Sequence, residues 1–193
     1  EELSRCAGSR GMIGGQIIDL ANENNPDVTI ETLQLLDNLK TGALIEAACV
    51  MGCIVAKADS DKIDAARTFA SKIGLAFQIK DDILDYAGTD AVGKPLGADI
   101  LEQKITMPLL GALASVSECE AERVRGLVKD IVGHPENRDE IVRFVKENGG
   151  LEAARDELDA FVEKAVRALD VLPESFEKNC LVELAYFTGK RVM

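Results

Sequence analysis

The run from Asp61 to Tyr86 constrains the fold more than any other part of the chain. It is roughly 26 residues long, contains no proline, and repeats apolar residues at Ile63, Ala66, Phe69, Ala70, Ile73, Phe77 and Leu84, the 3.6-residue period of a helix. A single long helix with an apolar stripe cannot bury that stripe alone, so it demands partner helices of comparable length. The rest of the sequence supplies them. Residues 1–24 read as helical despite Gly8, Gly11, Gly14 and Gly15, which at a helical cost of about 1 kcal/mol each point to close backbone approach. Asn22-Glu23-Asn24-Asn25-Pro26-Asp27 is a stop, and Thr29 is placed to cap the next helix. Thr32–Lys57 carries the period again, interrupted at Lys40-Thr41-Gly42, where a kink or division is expected.

Beyond Tyr86 a loop rich in glycine and proline spans Ala87–Ala98, and Asp59-Ser60-Asp61 marks a capped turn before the long helix. Further helical stretches follow at Ile100–Ala114, Glu118–Gly133, Asp139–Asn148, Leu151–Leu172 and Ser175–Lys190. The count is roughly seven or eight helices with no convincing strand, and short turns between long helices make neighbours antiparallel. Few aromatics (4%), no Trp and an apolar content dominated by Ala, Leu, Ile and Val agree with packed helices. The expectation is an all-α antiparallel bundle, one helical domain over 1–193, with no repeat and no low-complexity linker.

A net charge of -12 argues against a generic nucleic-acid surface, which needs a basic patch. An anionic substrate remains compatible, provided local lysines or a metal held by clustered acids receive it. The five cysteines form no CxxC pair; Cys49 and Cys53 share a helix face in an apolar run and read as buried thiols. An odd count without a signal sequence points to a reducing, cytoplasmic setting. No stretch reaches the roughly 18–20 apolar residues of a membrane span, and Leu44–Ala58, which contains Glu46 and Lys57, reads as a buried core helix. The opening Glu1-Glu2-Leu3-Ser4 has no initiator Met and starts inside a helical pattern, as part of a longer chain would.

The chemistry concentrates in Phe77-Gln78-Ile79-Lys80-Asp81-Asp82-Ile83-Leu84-Asp85. With Asp81 at 0° on a helical wheel, Asp82 falls near 100°, Asp85 near 40°, Gln78 near 60° and Phe77 near -40°. One face therefore presents three carboxylates, an amide and a ring. Two carboxylates about 6 Å apart repel by roughly 3 kcal/mol at an effective dielectric near 20. An exposed acidic patch and a metal–phosphate site both explain such a face; oxygen ligands of this kind suit Mg2+, which takes one or two carboxylates plus phosphates. Lys94 and Lys104 follow the acidic helix, and Lys40-Thr41 offers another amine and a hydroxyl, all donors that match phosphate.

Four segments in order, Gly11-Met12-Ile13-Gly14-Gly15-Gln16, Lys40-Thr41-Gly42-Ala43-Leu44-Ile45, Gly74 through Asp85, and Gly93-Lys94 with Lys104-Ile105-Thr106-Met107-Pro108-Leu109, resemble the trans-isoprenyl diphosphate synthases over nearly the whole chain. The resemblance implies an isoprenoid-synthase bundle around a central cavity, here without its N-terminal helices, and Mg2+-dependent condensation of isopentenyl diphosphate with an allylic diphosphate. By motif, Asp81, Asp82 and Asp85 would be the metal ligands of the second aspartate-rich motif. Lys40, Lys94 and Lys104 would hold the allylic diphosphate; Thr41 and Gln78 would lie near the reacting carbon; Gln16 and Phe77 would line the cavity. A homodimer is implied as well.

The family's first aspartate-rich motif and its isopentenyl diphosphate ligands belong upstream, and the one histidine, His134, matches no family motif. These residues alone are expected to be inactive and to expose apolar surface. The segment from Leu151 through Pro173 tilts the product towards polyprenyl length, whereas Gly14-Gly15-Gln16 and Lys40-Thr41-Gly42-Ala43 resemble short-chain synthases. The competing readings are a non-catalytic partner subunit, against which the joint presence of Asp81, Asp82, Asp85, Lys94 and Lys104 weighs, and a terpene cyclase or squalene-type synthase, whose second metal motif differs. A plain acidic helical scaffold leaves the ordered motifs unexplained.

Overall fold

The fold is described from a computed structural model over residues 1–87 and 96–190. Among these residues there is no strand; the helices are α1 (Glu2–Ala7), α2 (Met12–Asn22), α3 (Ile30–Asp37), a π-helical turn (Asn38–Gly42), α4 (Ala43–Val55), α5 (Ser60–Ala87), α6 (Ala98–Leu101), α7 (Met107–Ala114), α8 (Glu118–Lys129), α9 (Asn137–Glu147), α10 (Gly150–Ala168), a 3-10 turn (Leu169–Val171) and α11 (Phe176–Lys190).

Local chemistry sets most of these boundaries. The expected helix over 1–24 divides at residues 8–11, where Gly11 folds back so closely that a Cβ there would lie 1.9 Å from the Cys6 carbonyl oxygen. Thr29 caps α3 as expected, its Oγ1 accepting from the Thr32 amide at 3.2 Å. Asp59 does the same for α5, accepting from the Lys62 amide at 3.1 Å, and Ser117 accepts from the Glu120 amide to start α8. Pro108 sits in the first turn of α7, where a missing N–H costs nothing. Gly149, at φ +72°, turns the chain between α9 and α10.

The chain packs as two compact units, one formed by Glu1–Ile18, Gln34–Lys80 and the described part of Glu157–Val192, the other by Asp19–Leu33 and Asp81–Asp156. In the first unit α1 packs on α4. Arg67 of α5 reaches Glu2 at 3.1 Å and pairs with Glu46, while Arg5 meets Glu2 at 2.7 Å and Glu46 at 2.6 Å. Phe69, Ala70 and Ile73 are buried in this unit, as are Leu158, Phe161 and Ala165. Each large apolar side chain so buried contributes about 1.5–3 kcal/mol. In the second unit α7 packs against α8 and α9, and α6 against α9. Gly150 and Gly111 allow α7 and the start of α10 to touch: a Cβ on Gly150 would lie 2.2 Å from the Pro108 carbonyl, and one on Gly111 2.8 Å from Ala153 Cβ.

Two expectations are corrected. The greasy segment after Gly42 is not a fully buried core helix. Ala43, Ala47 and Val50 of α4 are buried, but Leu44, Ile54 and Val55 are exposed, Val55 at 83%. Apart from Glu46 the segment is apolar around most of its circumference, yet among the described residues one face, that of Ala43, Ala47 and Val50, is the buried one. The continuous helical stretch Ile30–Val55 is long and apolar enough to cross a membrane by length and composition, and 22% of its most apolar 18 residues are buried. Cys49 and Cys53 are half-buried, not buried; Cys6 is buried and Cys119 and Cys180 are exposed.

Candidate functional site

Lys40 and Thr41 lie in the π-helical turn, the structural form of the interruption read at Lys40-Thr41-Gly42. Such turns insert one residue into a helix and recur at functional sites. Both side chains are half-buried. The Thr41 hydroxyl donates to Gln78 Oε1 on α5 at 3.1 Å, so two of the residues singled out by sequence are in contact. Ser71 of α5 donates to Asn38 Oδ1 at 2.8 Å, tying the start of the turn to the same helix. Gln16 is exposed on α2 and Phe77 is half-buried on α5.

The three acidic residues occupy the last two turns of α5 and are all half-buried. Asp85 accepts from the backbone amides of Ala98 at 3.0 Å and Asp99 at 3.2 Å, one per carboxylate oxygen, and its own carbonyl accepts from Gly97 at 2.9 Å. It therefore seats the start of α6 in addition to facing the acidic surface. Asp82 accepts from the Met107 amide at 3.2 Å. These amide contacts, made through residues 97–99 and 107, had no signature in the sequence. Beneath them Tyr86 is fully buried; its phenol lies beside the Thr106 hydroxyl, and neither atom closes a hydrogen bond among the described residues. Burial pushes the Tyr86 phenol well above its usual range; the Thr106 hydroxyl beside it works the other way, and the carboxylates of Asp82, Asp85 and Asp99 push it up.

Lys104 follows α6 and pairs with Glu102 at 2.5 Å. Burial works against its charge, but the Glu102 carboxylate, with Asp19 and Asp99 behind it, holds the ammonium above its ordinary range. Lys94 lies outside the described residues. Asp81, Asp82 and Asp85 offer only oxygen donors, a set that fits Mg2+ sharing its shell with phosphate oxygens. Among the described residues, the trio of ligand atoms that gathers within 4.8 Å is elsewhere, at Glu2, Cys6 and Glu46. Its carboxylates are already neutralised by Arg5 and Arg67, which makes it an ion-pair network.

Comparison with known proteins follows the same residues. The sequence model of the polyprenyl synthetase family matches residues 6–147. The chain belongs to the polyprenyl synthetase family. Octaprenyl diphosphate synthase of Haemophilus influenzae is 34% identical over 178 residues, 92% of this chain and 54% of that protein. A chloroplastic geranylgeranyl pyrophosphate synthase of Catharanthus roseus is 42% identical over 110 residues, 56% of this chain and 31% of the relative. The structure of polyprenyl synthase from Caulobacter crescentus, complexed with calcium and isoprenyl diphosphate, superposes with a TM-score of 0.86 at 31% identity, covering 98% of this chain and 58% of that one. This family member thus shares the all-α isoprenoid-synthase fold and spans about half the length of octaprenyl diphosphate synthase and of the Caulobacter crescentus enzyme.

Proposed function

We propose that the protein is a trans-prenyl diphosphate synthase, condensing isopentenyl diphosphate head-to-tail with an allylic diphosphate, and that these residues form its allylic diphosphate half. The observation that carries this reading is α5: Gln78, held by the Thr41 hydroxyl, lies within two helical turns of Asp81, Asp82 and Asp85 on one helix. Asp81 and Asp82 would hold Mg2+ directly and Asp85 through water, since both Asp85 oxygens already serve backbone amides. When bound, Mg2+ supplies charge that stabilises the departing diphosphate. Lys40, Lys94 and Lys104 would donate to phosphate oxygens, interactions that strengthen as negative charge develops on the leaving group. Thr41 and Gln78 would orient the allylic carbon, with Gln16 and Phe77 along the chain-binding side. The calcium and isoprenyl diphosphate in the Caulobacter crescentus neighbour and in geranylgeranyl pyrophosphate synthase from Corynebacterium glutamicum, 33% identical, support the ligand class.

The chain carries a single DDxxD motif, and for these residues alone the proposal is diphosphate binding without turnover. A polyprenyl product is proposed for the whole protein, because the octaprenyl synthase relative aligns over 92% of the chain. We also place a homodimer in this proposal, on the apolar side chains Ile13, Ile17 and Leu20 left exposed along α2. The deciding experiment titrates Mg2+ and inorganic pyrophosphate into the protein and follows thermal stability, with Asp81→Ala as control. Mg2+-dependent stabilisation that Asp81→Ala abolishes supports the reading; equal stabilisation of both proteins sinks it. Product chain length is read by chromatography of the dephosphorylated prenols.

A further inference from the structure

The π-helical turn that carries Lys40 and Thr41 is gripped from two sides by glycines. A Cβ built on Gly15 of α2 would lie 2.3 Å from the Lys40 amide nitrogen, 2.7 Å from Lys40 Cα and 2.8 Å from the Leu39 carbonyl carbon. A Cβ built on Gly74 of α5 would lie 2.8 Å from Gly42 Cα and 3.4 Å from the Gly42 nitrogen. Every one of these neighbours is backbone, which cannot rotate away as a side chain could. Both glycines are buried, and neither has the positive φ that would explain a glycine on conformational grounds. Helix interiors disfavour glycine against alanine, so two glycines on two different helices, each meeting the same five-residue turn, have a steric role. Other helical glycines show the contrast: Gly52 and Gly126 would meet nothing within 4 Å. Gly42, inside the turn, would place its own Cβ no closer than 3.4 Å to Asn38 Oδ1.

We propose that Gly15 and Gly74 are positioning residues: they let α2 and α5 close on the backbone of Asn38–Gly42 and so hold the extra residue of the π-helical turn in place, fixing where Lys40 and Thr41 stand for substrate. The inference rests on the reading of Lys40 and Thr41 as diphosphate-binding residues. The Ser71–Asn38 hydrogen bond at 2.8 Å and the Thr41–Gln78 hydrogen bond at 3.1 Å brace the turn from the same α5 that carries Gly74. A methyl group at either glycine pushes the turn outward and moves Thr41 off Gln78.

The test uses the intact protein and two readouts. Inorganic pyrophosphate binding in saturating Mg2+ is measured by calorimetry, and amide hydrogen exchange is followed in peptides spanning residues 37–44. Gly15→Ala and Gly74→Ala are compared with Gly52→Ala, whose methyl meets open space. The expected result is exchange at residues 37–44 faster by tenfold or more and pyrophosphate Kd raised at least tenfold in the first two, with less than twofold change in either readout for Gly52→Ala. Ser71→Ala adds no atoms and keeps the test decisive if the alanine variants fail to fold: it should speed exchange at 37–44 and raise Kd several-fold with little change in Tm. Unchanged exchange and Kd in Ser71→Ala and in whichever glycine variants fold overturns the clamp. If the unmodified protein binds no pyrophosphate, the diphosphate reading falls instead, and the exchange data still judge the clamp.

Discussion

Replacing Tyr86 by Phe should stabilise this protein. The phenol oxygen is fully buried at the end of α5, and it closes no hydrogen bond among the described residues; nor does its neighbour, the Thr106 hydroxyl. A buried polar group left unsatisfied costs about 1–3 kcal/mol, so deleting it returns that amount, less a small term for the lost oxygen volume. For a domain of this size 1 kcal/mol moves Tm by about 2–4 °C, which places the expected gain between roughly 2 and 12 °C at pH 7. Thr106→Val should act in the same direction, and the two changes should add if the hydroxyls are independent. The same tyrosine has an alkaline signature. Its folded-state pKa is raised, so the contribution is intact below the ordinary value of 10.0 and is lost as pH climbs above it, where only the unfolded chain ionises. Wild-type stability should fall more steeply there than Tyr86→Phe, by about 1.4 kcal/mol per pH unit. Calorimetric scans of both proteins from pH 7 to 11 measure both effects. A Tyr86→Phe protein that melts lower at pH 7, together with a strong coupling to Thr106→Val, would show that the two hydroxyls satisfy each other, and the argument from an orphaned phenol would be wrong.

Other consequences are open to the same instruments. Asp85→Ala should lower stability by about 1–2 kcal/mol in metal-free buffer, because the α6 amides of Ala98 and Asp99 lose their acceptor; a loss seen only with Mg2+ present would assign Asp85 purely to metal. Gly150→Ala forces a methyl against the Pro108 carbonyl 2.2 Å away and should cost about 1–3 kcal/mol. Gly52→Ala, facing open space, should gain about 0.5–1 kcal/mol; urea titrations of both variants measure these changes. Thr41→Val removes the donor to Gln78 at a cost of about 0.5–1.5 kcal/mol in stability. Under the proposed function it weakens pyrophosphate binding beyond what that loss explains.

The helical elements were legible because their periodicity and caps are local. Thr29 and Asp59 act within a turn of their own position, so α3 and α5 start where the residues say, whereas the stretch read as helical over Ile100–Ala114 divides into α6 and α7, with Pro108 in the first turn of α7. The interruption at Lys40-Thr41-Gly42 was visible as a break in period, but its π-helical form is decided by what packs on it, namely Gly15 and Gly74, which are far away in sequence. The half-exposed state of α4 was hidden for a related reason. A segment apolar around most of its circumference does not announce which face will be covered, and Ala47 and Val50 look no more buryable than Ile54 and Val55. The acidic face of α5 was readable from spacing alone. That Asp82 and Asp85 also accept backbone amides was not, since a main-chain donor leaves no trace in residue identity.

The π-helical turn also separates the binding chemistry from the register of the core. A widened turn takes up its extra residue locally, so the helix on either side keeps the faces it would have without the insertion. Deleting one residue between Asn38 and Gly42 would therefore restore an ordinary helix and leave Ala43, Ala47 and Val50 on the face they now bury, while Lys40 and Thr41 would lose the positions that the widened turn gives them. A chain shortened here should keep its packing and lose its ligand.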